Sequence, residues 1–137
     1  MRKLLFAALF LALGLITACS SSDDIAESQT QSQIESNIVG TWELKTFDKG
    51  WAQVSSFNSR EVTLSFSKHG LLTITNNTST DLSPLPYSGT CPFSVNKEHL
   101  VTINGVTLEY EVNGTTLRLA KDIEADGICI ILTNIDN

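Results

Sequence analysis

Residues 99–120 read HLVTINGVTLEYEVNGTTLRLA, and this stretch decides the fold. Two runs of alternating apolar and polar residues flank Asn104-Gly105, a dipeptide that accepts positive φ and closes two-residue hairpins. In the second run Val106, Leu108, Tyr110 and Val112 share one face, and Thr107, Glu109 and Glu111 share the other. Asn113-Gly114 offers another two-residue turn, into Thr115–Ala120, where Leu117 and Leu119 continue the apolar face. Strands joined by turns this short are antiparallel, because a parallel pair needs a crossover of a dozen residues or more.

The same period of two extends toward the amino terminus. In Thr41–Phe47, Trp42 and Leu44 oppose Glu43 and Lys45. In Glu61–Ser67, Val62, Leu64 and Phe66 alternate with Thr63, Ser65 and Ser67. Lys68-His69-Gly70 turns the chain, and Leu72 and Ile74 point inward from the next strand, which ends at Asn76-Asn77. Residues 78–86 hold Asp81, Pro84 and Pro86 and read as a loop. A strand follows around Tyr87–Val95, with Pro92 marking an edge or a bulge. Asn96-Lys97-Glu98 is a turn, His99–Ile103 a strand, Asp122–Gly127 an acidic loop and Gly127–Ile135 the last strand. No convincing helix follows residue 18. The expectation is an all-β domain: a small antiparallel up-and-down barrel of about eight strands, each with one solvated face.

The chain starts differently. Arg2 and Lys3 precede a fifteen-residue apolar run from Leu4 to Ala18, shorter than the roughly twenty residues a bilayer-spanning helix needs. A basic start and a short apolar run predict a signal peptide over residues 1–18. Its end, Ile16-Thr17-Ala18-Cys19, resembles the lipobox of bacterial lipoproteins. That resemblance implies diacylglycerol on the Cys19 sulfur, cleavage before Cys19 and acylation of the new amino terminus with fatty acids such as palmitate. Several acyl chains meet the requirement for stable anchoring, at about 0.8 kcal/mol per buried CH₂. No aspartate follows Cys19 directly, and Ser20-Ser21-Ser22-Asp23-Asp24 is similar to surface-export signals of Bacteroides-group lipoproteins. This implies the outer membrane, on its periplasmic or cell-surface face. The same five residues also read simply as the start of a solvated linker.

Removing residues 1–18 takes away Arg2 and Lys3 and no acid, leaving 7 Lys+Arg against 15 Asp+Glu, a net charge of -8. Nucleic-acid binding requires clustered positive charge, so it is excluded. Residues 19–37 carry too little apolar area to offset the entropy of ordering and read as a flexible tether. Residues 38–137 form one domain with room for a single core.

Ile38-Val39-Gly40-Thr41-Trp42 resembles the Gly-x-Trp opening of lipocalins and lipocalin-like bacterial lipoproteins. Phe66-Ser67-Lys68-His69-Gly70 and residues 110–117 are similar to the strand–turn–strand units of that group. The resemblance spans residues 38–134. It implies that Trp42 packs across a closed barrel end, often beneath an arginine of the last strand. No arginine lies in Gly127–Ile135, and Arg118 has outward parity. The resemblance also implies either a small apolar ligand within the barrel or an accessory role.

Candidate chemistry is sparse. No catalytic constellation is visible, and no cofactor is expected. His69 and His99 stand at no metal-ligand spacing from other donors and read as surface residues. Asp122-Ile123-Glu124-Ala125-Asp126-Gly127 has half the pattern of a calcium loop. Thr133 stands where its bidentate acid would be, so a solvated acidic turn is the reading and no metal is expected. Trp51, Phe57, Tyr87 and Phe93 lie in or near irregular segments, as ligand-gripping aromatics at a barrel mouth or as core residues beneath loops. With Cys19 lipidated, Cys91 and Cys129 remain in an exported, oxidising setting, and a Cys91–Cys129 disulfide is expected. Two separate buried thiols are the alternative, since the facing of Cys129 is ambiguous.

The leading functional expectation is a membrane-anchored, non-enzymatic lipoprotein whose domain binds a small apolar ligand or serves as an accessory module. The alternative is a structural or protein-interaction envelope protein with a solid barrel. A mouth-opening cavity lined by apolar side chains favours the first, and a filled barrel with an exposed apolar strand edge the second. The anchor has its own test: Cys19→Ala should abolish lipid labelling and processing in cells, because only the thiol can carry the thioether. Continued cleavage with membrane retention of that variant would refute the lipoprotein reading.

Overall fold

The computed structural model describes residues 36–51 and 53–136. Cys19 and most of the tether lie outside the described residues. Nine strands follow one another: β1 (Gly40–Asp48), β2 (Val54–Ser56), β3 (Val62–Phe66), β4 (Leu71–Asn76), β5 (Gly89–Val95), β6 (Leu100–Ile103), β7 (Val106–Asn113), β8 (Thr116–Lys121) and β9 (Ile128–Asn134). All pairings are antiparallel, each strand from β3 to β9 lies beside the next, and β9 returns to β1. β1 and β3–β9 therefore close an eight-stranded barrel. β2 is the ninth strand, folded onto one end of β1.

The turns form where the sequence places them, with one shift. Asn104 and Gly105 both take positive φ, 48° and 87°, between the paired residues Ile103 and Val106. The next hairpin turns one residue later than expected: Asn113 stays in the ladder opposite Thr116, and Gly114 (φ 60°) opens the turn. His99 also departs from the reading. It precedes β6 with φ 60° and stands edge-on to Tyr110, ring centroids 5.7 Å apart.

β1 carries the main irregularity. Leu44 pairs with Leu132 but Thr46 with Ile131, so Lys45 is an extra residue bulged out of the β1–β9 ladder. Before the bulge Trp42 and Leu44 point inward, and after it Phe47 does, despite its opposite parity in the sequence. The bulged Lys45 carbonyl is not wasted: it accepts from the Phe57 amide at 3.0 Å.

The interior is solid. Inward side chains from all eight barrel strands join one buried cluster, and Phe47, Leu64, Leu72, Ile103, Leu117 and Leu132 have no accessible surface. Side chains walling a water-sized void would retain accessible surface, and these do not. An eight-stranded barrel is narrow enough for its own side chains to fill it. Each buried Leu or Phe contributes about 1.5–3 kcal/mol.

Both ends are plugged. At the entry end, where β1 begins, Ile38 is fully buried and its carbonyl accepts the Trp42 indole N–H at 2.8 Å. Ser36 Oγ lies 3.1 Å from the Tyr110 hydroxyl. Ser36 and Asn37, assigned above to the tether, thus belong to the turn that leads into β1. At the far end, Leu82 and Leu85 of the β4–β5 loop drop into the core.

The expected disulfide is not made: Cys91 and Cys129 are free thiols. Cys91 points inward from β5 opposite Leu72, whereas Cys129 lies on the outward face of β9 between Asp48 and Ala120. The opposite facings, with β6, β7 and β8 intervening, put the pair beyond the roughly 7 Å Cα limit of a bridge. Burial raises the Cys91 thiol pKa, leaving it a small inert hydrophobe.

Trp42 fills the entry end, so Trp42→Ala should destabilise the domain by about 3–5 kcal/mol. Denaturant unfolding measures this. An unchanged midpoint would mean that the indole is not part of the closure.

Candidate functional site

Because its own side chains fill the barrel, any site lies on the exterior. The far end collects most of the exposed large apolar side chains among the described residues: Trp51, Val54, Tyr87 and Ile123. Trp51 is the extreme case at 79% exposed.

The turn that presents Trp51 is tightly built. The Asp48 carboxylate accepts the Gly50 amide at 2.8 Å, Lys49 N donates to Gln53 O, and Gln53 N to Gly50 O, both at 3.0 Å. Gly50 is required twice over. Its φ is 79°, and a Cβ there would come within 1.9 Å of the Asp126 carbonyl oxygen. The β1–β2 turn therefore rests backbone-to-backbone on the β8–β9 loop, which holds a single 3₁₀ turn, Ile123–Ala125. Trp51 and Ile123 stand on adjoining loops of one rim. Trp51 itself has φ 54°, a left-handed conformation that costs a non-glycine residue roughly 1–2 kcal/mol.

β2 and its link to β3 brace this turn against the barrel wall. Glu43 faces outward on β1 yet is only 6% exposed, because residues 59–60 cross over it. Its carboxylate accepts from Ser59 Oγ at 2.8 Å and the Arg60 amide at 3.0 Å, and pairs with Lys45 at 2.5 Å. The Lys45 hydrogen bond, then that of Ser59, holds the Glu43 carboxyl below its ordinary pKa.

The β4–β5 loop forms the other side of the rim. Ser83 donates to Asp81 Oδ1 through its hydroxyl at 2.6 Å and its amide at 3.0 Å. Lys49 Nζ reaches Asp81 Oδ2 at 3.1 Å, tying this loop to the Trp51 turn. Together these bonds, Ser83 first, lower the Asp81 pKa to about 2. The Tyr87 hydroxyl bonds the Thr78 carbonyl, and Asn76 accepts from the Thr78 amide and hydroxyl.

The aromatics that the sequence grouped separate into two fates. Phe93 is core on β5 and Phe57 packs partly against the core, while Trp51 and Tyr87 are exposed on the rim. The half calcium pattern becomes the 3₁₀ turn with Asp122 and Asp126 in left-handed conformations at its two ends. Among the described residues, no three His, Cys, Asp or Glu side chains gather in metal-binding geometry. The outer wall of β7 and β8 is shallowly concave, with a cavity of about 420 Å³ lined by Glu111, Asn113, Thr116, Arg118 and Ile131. Sequence reading found the acids near the rim, but no pattern of spacing marked Trp51 as exposed. Its only signal was Lys49-Gly50 just before it, a turn that forces it outward.

No protein-family model matches the chain, and no curated protein matches it significantly.

The lowered carboxyls make stability depend on pH. A group with a depressed folded pKa stabilises above its unfolded value and loses that contribution as pH falls through the folded one. The melting temperature should therefore begin to fall below about pH 4.5, the ordinary value for Glu43, and continue falling toward pH 2, where Asp81 titrates. Thermal melts of Asp81→Asn should show a shallower decline between pH 4 and pH 2. A decline equal to the wild type's would remove Asp81 from the account.

Proposed function

We propose that the protein is a membrane-anchored lipoprotein, held by acyl chains on Cys19, whose barrel is a non-enzymatic protein-interaction module of the cell envelope. The lipobox-like Ile16-Thr17-Ala18-Cys19 supports the anchor, and the serine-acid stretch behind it supports the outer membrane. The observation that carries the interaction role is Trp51, exposed at the end of the barrel opposite Ser36. Tryptophan at the centre of an interface is the residue type that most often dominates binding energy. Around it, Asp48, Asp81, Asp122, Glu124 and Asp126 outnumber Lys49 and Lys121, which suits a partner with an apolar pocket bordered by Lys or Arg.

A lipocalin-like carrier of a small apolar ligand is the lesser reading. Leu82, Leu85 and the strand side chains already occupy the space that such a ligand would take.

The test is a photo-crosslinking amino acid at position 51 of the full chain, in the cells that make it. One discrete protein adduct is expected, weakened by high salt and absent when the photo-group is placed at Glu111 on the barrel wall. No adduct from position 51, or the same adduct from both positions, would overturn the proposal.

A further inference from the structure

Closure of the barrel leaves one strand with an open side. Among the described residues every strand but β2 has a neighbour on each side, and β2 (Val54–Ser56) pairs with β1 alone. A strand edge is a row of main-chain donors and acceptors, and an open one is a template for another strand.

The ladder shows which groups face the open side. Lys49 N donates to Gln53 O and Phe57 N to Lys45 O, both at 3.0 Å. Hydrogen-bonded and non-hydrogen-bonded pairs alternate along an antiparallel ladder, so Phe47 and Ser55, midway between these two, bond each other. Val54, opposite Asp48, and Ser56, opposite Thr46, therefore turn their N–H and C=O away from β1. Among the described residues these four groups have no hydrogen-bond partner. Both residues are exposed, Val54 by 57%.

We infer that an extended segment of the partner protein adds to β2 as a further strand. The inference rests on the proposed rim interaction and gives its partner a form. Three observations carry it. The open groups of Val54 and Ser56 stand two residues apart, about 6.8 Å along the strand, which is the repeat of an extended main chain. What the edge recognises is thus peptide backbone, with side chains adding selectivity. The edge is also unguarded: Val54, Ser55 and Ser56 include no lysine, proline or other charge, and β2 has no bulge against β1, so pairing buries no charge on this side. Finally, the edge begins three residues after Trp51, so a segment lying on it runs to the same turn. Closure leaves a second copy no longer edge to offer than its own β2, whereas a partner segment can continue past Val54 to Trp51.

Three residues are few, and the added strand gains at most four main-chain hydrogen bonds from Val54 and Ser56. The short edge therefore holds a segment only together with side-chain contacts. A β-branched or aromatic residue opposite Val54 is the pairing that stabilises such a cross-strand contact most. The exposed Trp51 ring supplies further apolar area.

The experiment repeats the photo-crosslinking from position 51 of the full chain in cells and changes only the open edge. Proline removes an outward N–H and leaves the β1 ladder intact. Ser56→Pro and Val54→Pro should each weaken the adduct about tenfold, the weight of one main-chain hydrogen bond. Ser56→Ala, which keeps its N–H, should leave the adduct within about twofold of the unaltered chain, as for an ordinary surface substitution. Unfolding midpoints of both proline variants establish that the barrel is folded. Whether or not those variants fold, a photo-group at Ser56 should mark the same partner segment as position 51, a few residues along it. Undiminished adducts from folded proline variants, or a Ser56 mark that is absent or on a different segment, would overturn strand addition and leave the rim interaction standing. An adduct of twice the chain mass, or one within a single chain, would replace the partner segment by a second copy or by the chain's own tether and overturn it as well. No adduct from position 51 in the unaltered chain removes the rim interaction and this inference with it.

Discussion

A sheet of eight short strands closes only if its first strand serves neighbours on both edges, and here β1 serves three. Along one edge it pairs with β9 from Trp42 to Asp48; along the other it gives Gly40–Glu43 to β3 and Thr46–Asp48 to β2. Strands in a closed barrel tilt and stagger, and a nine-residue strand without a break would carry its inward row off the core. The bulge at Lys45 corrects this. It adds one residue, increases the local twist and resets the parity, so that Phe47 enters the core where Thr46 would otherwise have stood. It also frees the carbonyl that holds Phe57, and with it the β2 segment. Closure, core filling and the seating of β2 all rest on this one irregularity.

Closure has a consequence for function. With eight strands and both ends plugged, by Ile38 and Trp42 at one and Leu82 and Leu85 at the other, the interior is committed to packing. What remains available is the exterior, where the far rim holds Trp51, Val54, Tyr87 and Ile123 among acidic side chains. The rim's loops are cross-linked by hydrogen bonds although several of its side chains are exposed. Gly50 against Asp126 and Lys49 to Asp81 tie the β1–β2, β8–β9 and β4–β5 loops together, and Ser59 to Glu43 ties the β2–β3 link to β1.

The sequence revealed the fold far better than the site, for a physical reason. Burial acts on every second residue of every barrel strand, so Val62, Leu64 and Phe66 or Val106, Leu108 and Tyr110 announce their facing by alternation. Where the alternation breaks, the reading breaks with it. Phe47 sits beyond a bulge that no local pattern marks, and β2, at three residues, is too short to show a period. The Cys91–Cys129 pairing was expected from the redox setting, the two thiols left once Cys19 is lipidated and their places in distant strands. Cys91 follows the inward parity of Phe93, but Cys129 lies among Ile128, Ile130, Ile131 and Leu132, apolar on both faces, and only the β1–β9 register reveals that it points out. Outward positions are under no common constraint, so the exposed Trp51 was not recognisable until the turn around Gly50 placed it.

Trp51 is the residue for which the fold gives no reason. Its side chain buries almost nothing, so the hydrophobic effect recovers little of its large apolar surface. Its backbone adopts a left-handed conformation that glycine or asparagine would take at lower cost. The turn around it is complete without an indole, since its hydrogen bonds come from the Asp48 carboxylate and the backbones of Lys49, Gly50 and Gln53. A residue that strains its own backbone and leaves its ring in water weakens the isolated domain. Strain of this kind persists where the surrounding structure enforces it, and it gathers at sites of recognition. The proposed interaction role supplies the reason that the fold does not: it assigns the exposed indole to a surface outside the barrel and the working end of the molecule to the rim.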